Sequence, residues 1–153
     1  MASAQDKTAV ELAVFREFAE KARLSIDDTS IEKRGGESEP DILCKIIGEG
    51  PVSFELVEIC DSTLAATIAH LRSGGVATGS TSDPSIEIIR RKLHKKYKTD
   101  LPIELLCYTN GRVVTTDDGI LAAIRPWFDA IDGPFRRAWL LGEKDTYEVW
   151  RAS

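Results

Sequence analysis

The sequence predicts one α/β domain, in which a mixed central β-sheet is flanked by helices. Residues 8–24 repeat apolar side chains at helical spacing, residues 41–60 and 137–150 each read as a β-hairpin, and further helical patterns lie between the strands. The 153 residues lie in the size range of a single domain with a real hydrophobic core. We therefore expect one domain spanning residues 1–153.

Composition and charge exclude several classes of protein. With 42% hydrophobic and 29% charged residues, the chain is typical of a globular protein. Its apolar runs are far shorter than a membrane span, and its first nine residues lack the apolar core of a secretory signal. We expect a cytoplasmic protein with no membrane partner. A net charge of −5 argues against indiscriminate coating of nucleic acid but leaves room for a local basic patch.

The N-terminal helix is predicted over about residues 8–24. Its apolar positions fall on one stripe: Leu12, Phe15, Phe18, Ala19 and Ala22. Residues 25–40 are polar and contain two adjacent glycines and a proline, which favours a loop with a short edge strand at 30–34.

A hairpin is predicted over about residues 41–60, because two apolar runs flank a Gly/Pro-rich turn at 48–51. Asp61 or Ser62 can cap a helix that ends near residue 73. Residues 74–83 lack periodicity and are predicted as a mobile loop.

The second half alternates helices and strands. Asp83 and Pro84 open a basic helix over about residues 84–97, in the usual order of cap and then proline. A strand at 101–108 follows. The next helix is predicted at 116–130, kinked or interrupted at Pro126. The hairpin at 137–150 closes the chain.

The three cysteines are predicted to be core residues. Cys44, Cys60 and Cys107 each lie in an apolar run, where a free thiol behaves as a small hydrophobic side chain. Their spacing matches no zinc motif.

An acidic pair is the leading candidate for chemistry. Because proline cannot join a central ladder, the chain should bend at Pro40 and leave Asp41 at the mouth of the strand. In a hairpin the start of one strand lies beside the end of the next, so we expect Asp41 and Glu58 to be neighbours. Adjacent carboxylates repel unless one is protonated or a cation lies between them, which favours Mg²⁺ or Mn²⁺. Glu55 faces the other side of the sheet from Glu58 and is the second choice.

These residues resemble the PD-(D/E)XK motif of restriction-endonuclease-like nucleases. The similarity consists of Pro40-Asp41, a turn, an apolar strand ending Glu58-Ile-Cys60, and then a basic helix and a strand. It implies a restriction-endonuclease-like core, with the Asp and Glu holding the metal and a lysine two residues later activating water. It also implies help from an acid on the first helix, for which Glu17 and Glu20 are the candidates.

One position departs from the motif. Cys60 stands where the family has lysine, and a thiol carries no positive charge to stabilise a developing anion. The alternative register, Glu55-Leu-Val57, has no lysine either. Lys45 and Lys92 remain open as lysines supplied from elsewhere in the chain.

Residues 90–98 form a basic segment with six Lys or Arg and no acid. Removing these six charges from the total of −5 leaves −11 on the remainder. A basic face on an acidic protein is typical of a phosphate-backbone contact, and a solvated helix face is the alternative. The candidate nucleic-acid-binding residues are Arg90, Arg91, Lys92, Lys95 and Lys96.

Two functions follow as hypotheses. The first is a nuclease that uses Mg²⁺ or Mn²⁺ to cleave the phosphodiester bonds of DNA or RNA. The second is a catalytically inactive nuclease-like domain that binds another protein, as an immunity protein does. An unrelated small α/β domain is a third interpretation, and a homodimer stays open for each.

Overall fold

A computed structural model describes residues 4–59, 90–109, 116–130 and 132–152, with side chains from residue 7 onward. Within these residues six strands form one mixed sheet, which confirms the predicted α/β class. The elements are α1 (Ala4–Lys21), a 3₁₀ turn (Asp28–Ser30), β1 (Glu32–Lys33), β2 (Ile42–Ile46), β3 (Gly50–Glu58), β4 (Ile103–Tyr108), α2 (Asp117–Ala130), β5 (Arg137–Leu141) and β6 (Thr146–Arg151). The helix and loop predicted at 61–83, the start of the basic helix at 84–89, and Cys60 lie outside the described residues.

The sheet has the strand order β1-β2-β3-β4-β5-β6, so each strand pairs with its neighbours in sequence. The β2–β3 and β5–β6 pairs are antiparallel, which confirms both predicted hairpins. The β3–β4 and β4–β5 pairs are parallel. All six residues of β4 are buried, as expected for a strand in the middle of a sheet with both faces covered.

Helices cover the two faces of the sheet and make a hydrophobic core on each. On one face α1 packs Phe15 and Phe18 against Phe54, with ring centroids 5.0 and 5.7 Å apart. On the other face α2 buries Ile124 and Trp127 completely. The apolar stripe predicted for α1 is therefore its buried face, although Leu12 and Ala22 are only partly buried.

The first helix ends three residues earlier than predicted. Arg23 has a φ of 57°, in the left-handed region, and this conformation stops the helix. The amide of Leu24 donates to the carbonyl of Ala19 (3.0 Å), and the amide of Arg23 donates to the carbonyl of Glu20 (3.1 Å). This pattern is a Schellman ending, which usually has glycine where this chain has Arg23.

Two other helix predictions need correction. The basic helix was expected to reach residue 97, but its helical residues end at 94 and residues 95–97 are irregular. There the amide of Lys98 donates to the carbonyl of Ser38 (2.8 Å), which ties the chain to the loop before β2. The expected interruption of α2 at Pro126 is wrong, because the helix runs through that residue.

The Asp117 carboxylate joins the start of α2 to the β5–β6 turn. It accepts hydrogen bonds from the amides of Glu143 (2.9 Å) and Lys144 (3.1 Å) and from the hydroxyl of Tyr147 (2.9 Å). Burial works to raise the pKa of Asp117, but these donors outweigh it and hold the pKa below its usual value. A Cβ at Gly142 would collide with this carboxylate, so the turn needs glycine there.

Replacing Asp117 with asparagine should destabilise the fold by about 1.5–3 kcal/mol at pH 7, because three donors lose a charged acceptor. Since the folded-state pKa is lowered, the stabilisation is complete above the unfolded pKa of about 4 and is lost as the pH falls through the folded pKa. Urea denaturation at pH 7 and pH 3 measures both effects. The matched control is Asp118→Asn, since Asp118 is the exposed neighbour in the same helical turn. Equal stability of the two variants at pH 7 would contradict this role.

Candidate functional site

The register of the β2–β3 hairpin places Asp41 beside Glu55. Ile46 pairs with Gly50 and Ile42 with Phe54, so the next step along both strands joins Asp41 to Glu55. The expectation that Asp41 would neighbour Glu58 is wrong. The reason is that β3 is four residues longer than β2, so its last residues continue past β2 and pair with β4 alone. Glu58 lies opposite Tyr108 at an exposed strand end.

Asp41 lies where β2 separates from β3, as Pro40 predicted. The Leu56 amide lies on the side of β3 that faces β2, two residues beyond Phe54, where the β2–β3 pairing ends. The Asp41 Oδ2 atom accepts its hydrogen bond there (2.9 Å). In return the amide of Asp41 donates to the Oε1 atom of Glu55 (3.1 Å). Backbone geometry therefore holds both carboxyl groups at the mouth of the hairpin.

Glu55 is a buried carboxylate with basic and hydroxyl partners. Its side chain is 2% exposed, and its Oε2 atom accepts hydrogen bonds from Lys92 Nζ (2.9 Å) and the Tyr97 hydroxyl (2.8 Å). Lys95 Nζ lies 4.0 Å from the same oxygen. Lys45 is exposed on β2 opposite Pro51, so Lys92 is the lysine that the structure brings to the acidic pair.

The Asp41 and Glu55 carboxyl groups are close enough to share a proton. Burial and the nearby Asp41 raise the pKa of Glu55, and Lys92 only partly offsets this. Burial also works to raise the pKa of Asp41, but hydrogen bonds from Glu55 and from the Leu56 amide bring it below its usual value. The pKa values of the two carboxyl groups are therefore shifted in opposite directions, upward for Glu55 and downward for Asp41.

The first helix contributes Glu11 to the site. Its side chain is 6% exposed, and Lys33 Nζ lies 3.7 Å from Glu11 Oε1 and 3.4 Å from Asp41 Oδ1. Burial raises the pKa of Glu11, as does the nearby Asp41. A signal for this residue exists in the sequence, because Glu11 precedes Phe15 and Phe18 by four and seven residues and so shares their buried face.

The acids expected to assist from this helix lie elsewhere. Glu17 and Glu20 are exposed, and Glu17 forms an ion pair with Lys21 (3.2 Å). Neither side chain is directed at Asp41, because both fall on the solvent side of α1. The acid of α1 that lies near Asp41 is therefore Glu11, and not Glu17 or Glu20.

Five charged side chains lie next to one another across the site, and we call them the charge row. In spatial order they are Glu11, Lys33, Asp41, Glu55 and Lys92. Each acid lies next to a lysine, as buried carboxylates require. Asp41 and Glu55 lie next to each other with no lysine between them.

Some side chains of the basic segment, residues 90–98, lie at the site and others face solvent. Lys92 and Lys95 turn toward Glu55, whereas Arg91 and Lys96 are exposed. Arg90 is partly buried and has a contact of its own.

The described cysteines have no role at the site. Cys44 and Cys107 are buried free thiols, and burial raises the pKa of each to about 12. Both are core residues, as predicted.

A small cavity lies beside Pro40, the residue before Asp41. Its volume is about 130 Å³, and it lies between the loop before β2 and residues 98–101. Its charged lining residues are Arg34, Glu39 and Lys98. Because Arg34 forms an ion pair with Glu39 (2.9 Å), the lining carries charges of both signs.

Within the described ranges, no group of three or more His, Cys, Asp or Glu side chains could hold a metal ion. The acidic pair supplies two carboxylates. Mg²⁺ is commonly bound in proteins by one or two carboxylates, with waters and substrate phosphates as its other ligands. The pair alone therefore has fewer acidic groups than a metal site built from three or more such side chains.

No protein-family model, curated protein or solved structure matches this chain. None of the helices that the structure describes is both long enough and apolar enough to cross a membrane.

Replacing Lys92 with methionine should raise the pKa of Glu55 further, because a buried carboxylate would lose its nearest cation. Carboxyl-carbon NMR titration of the purified protein measures this value. Lys45→Met is the matched control, since it removes an exposed lysine that makes no contact with Glu55. An unchanged Glu55 titration in Lys92→Met would mean that the ion pair does not form.

Proposed function

We propose that this protein is a divalent-metal-dependent nuclease whose site is formed by Asp41, Glu55 and Lys92. The observation that carries the proposal is the contact of two carboxyl groups at the mouth of the hairpin, with a lysine ammonium 2.9 Å from one of them. These are the three residue types of the PD-(D/E)XK motif that the sequence resembles. In this chain the lysine would come from the basic segment and not from β3, where Val57 is the second residue after Glu55.

The chemistry of the acidic pair suits a hard cation. Two carboxylates in contact need either a proton or a cation between them, and burial together with the nearby Asp41 raises the pKa of Glu55. Asp41 and Glu55 would be the residues that hold Mg²⁺ or Mn²⁺. A divalent ion bound there would lower the pKa of a coordinated water and polarise the phosphate.

The protein's own groups have separate tasks in hydrolysis. The reaction forms one P–O bond from water, breaks one bridging P–O bond and returns a proton to the leaving oxygen. Lys92 places a positive charge, one-quarter exposed, where the phosphate would gain negative charge. Tyr97 and the Asp41 amide fix the two oxygens of Glu55, so the carboxylate stays in one orientation.

Exposed cations beside the site favour a polyanionic substrate. Arg91 and Lys96 face solvent on the same segment that supplies Lys92, and Lys98 lines the adjoining cavity. A nucleic-acid backbone lying along this edge would bring a phosphate to the acidic pair. DNA and RNA both carry the required phosphodiester. Free buried thiols suit a reducing compartment, so we place this activity in the cytoplasm.

One observation favours the second candidate, an inactive nuclease-like domain that binds a protein. Lys33 and Lys92 already compensate the carboxylates of the charge row, so the fold can hold these acids without a metal. The cleavage experiment separates the two functions.

With Mg²⁺ or Mn²⁺, the protein should cleave plasmid DNA or single-stranded RNA, and Asp41→Asn and Lys92→Met should each reduce the rate by about 100-fold or more. Each change removes a group that touches the metal or the phosphate. Gel analysis of timed digests with both substrates measures the rates.

Glu17→Gln and Glu58→Gln are the matched controls, because both carboxylates are exposed. They should keep full activity. Absence of cleavage by the wild-type protein on either substrate would favour the binding function. Cleavage that survives Asp41→Asn would place the activity at a different site or in a contaminant.

A further inference from the structure

We propose that the cavity beside Pro40 is a subsite for one pyrimidine base of a single-stranded nucleic acid. This inference rests on the proposed function, because it assigns the base that belongs to a phosphate lying at Asp41 and Glu55. Three properties of the cavity carry it: its place on the sheet, its size and the polar groups of its lining.

The floor of the cavity lies next to the acidic pair on one face of the hairpin. Leu43 pairs with Ser53 across β2 and β3, and both residues line the cavity. Side chains two residues apart on a strand point to the same face, with their Cα atoms about 7 Å apart. Glu55 is therefore the next residue of β3 on the face that Ser53 occupies. Since a sugar separates the base of a nucleotide from its phosphate, a base at Ser53 directs the phosphate toward Glu55 and Lys92.

Residues 98–101 bring a cation to the opposite wall of the cavity. Lys98 follows Tyr97, whose hydroxyl donates to Glu55 (2.8 Å), so this wall begins at the acidic pair. The amide of Lys98 donates to the carbonyl of Ser38 (2.8 Å), which ties the wall to the loop before β2. The Lys98 side chain is exposed, and within the described ranges its ammonium has no carboxylate partner. This ammonium is therefore available to pair with the phosphate of a ligand.

The size of the cavity selects a single ring. Its volume is about 130 Å³, and a protein cavity of about 150 Å³ takes up one benzene molecule. A pyrimidine base is one six-membered ring, whereas a purine has a second ring fused to the first. Pro40, Leu43 and Leu101 supply apolar contacts for the faces of such a ring. The cavity therefore matches a pyrimidine and is too small for a whole purine.

The polar groups of the lining match the edge of a base and not an anion. Ser53 is 4% exposed, and its hydroxyl makes no hydrogen bond with another residue that the structure describes. The Thr99 hydroxyl accepts from the Leu101 amide (3.1 Å) and keeps its own O–H for an acceptor. Arg34 and Glu39 add a donor and an acceptor to the same lining. Because the Glu39 carboxylate repels anions, the part of the ligand that enters the cavity is neutral, with donors and acceptors of its own.

Burial of the base requires a single-stranded ligand. In a duplex the hydrogen-bonding edge of each base is paired, and its faces are stacked on the neighbouring bases. Entry into the cavity breaks these contacts, and the cost is least for a base that is already unpaired. The ligand is therefore unpaired DNA or RNA.

Nucleotide binding tests the inference without a catalytic readout. The isotope-labelled whole chain is titrated in EDTA with cytidine and uridine monophosphates, and separately with adenosine and guanosine monophosphates, while NMR follows the amide shifts. The pyrimidine nucleotides should bind at least about tenfold more tightly than the purine nucleotides. They should shift the amides of Leu43, Ser53 and Thr99. Equal affinity for the two classes, or no shift at these three amides, would overturn the inference.

Three variants test the cavity itself. Leu43→Trp fills it and should abolish pyrimidine binding, whereas Ile47→Trp places the same side chain on the exposed turn of the hairpin and should bind as wild type. Ser53→Ala removes the hydroxyl and should weaken binding about three- to tenfold. Circular dichroism checks the fold of each variant, and Ser53→Ala decides if Leu43→Trp does not fold. Unchanged binding in folded Leu43→Trp or in Ser53→Ala contradicts the subsite.

Cleavage of single-stranded substrates distinguishes the failure of this inference from the failure of the proposed function. Selective pyrimidine binding without cleavage in Mg²⁺ or Mn²⁺ overturns the nuclease and leaves the base subsite standing. Cleavage beside all bases alike, without selective pyrimidine binding, overturns the base subsite and leaves the nuclease standing. Selective binding together with cleavage beside pyrimidines supports both.

Discussion

The register between β2 and β3 is the constraint on which the site depends. Side chains alternate along a strand, so a slip of one residue would exchange the buried and exposed sides of the hairpin. The turn prevents this slip, because Gly48 and Gly50 both have positive φ, a conformation that side chains disfavour. With Ile46 held opposite Gly50, Phe54 reaches the core under α1 and Glu55 meets Asp41. One tight turn therefore sets both the packing of a core and the position of the acidic pair.

Local patterns predicted most of the fold and only part of the site. Apolar alternation located both hairpins, and Pro40 predicted Asp41 at a strand mouth, because these signals lie within a few residues of what they determine. Which glutamate lies beside Asp41 depends on the relative lengths of β2 and β3, and no local sequence pattern gives those lengths. The sequence could offer Lys92 only as one of two candidate lysines, because 37 residues separate it from Glu55. The end of α1 was missed because Arg23 occupies a position where glycine is the usual signal.

Three buried or half-buried carboxylates in one place are unfavourable for stability. Desolvation opposes each charge, and the acids repel one another. The chain offsets this with lysines from separate elements, Lys33 from β1 and Lys92 from the basic segment. Apolar side chains at these positions would pack without such compensation, as they do elsewhere on both faces of the sheet. Glu104 on β4 is a further buried acid, and it accepts hydrogen bonds from Arg136 (2.7 Å) and Trp139 (2.6 Å).

Strand order bears on how the polypeptide assembles. Since every strand pairs with its sequence neighbour, the sheet can grow from one edge as the ribosome releases the chain, and no strand has to be inserted between two that are already paired. The first three strands and α1 can associate before β4 is made. Joining β4 to β3 pairs strands that residues 59–102 separate in the chain, and parallel pairing between strands so far apart in sequence is intrinsically slow. Lys92 lies between these two strands in the chain, so the β2–β3 hairpin alone does not complete the site.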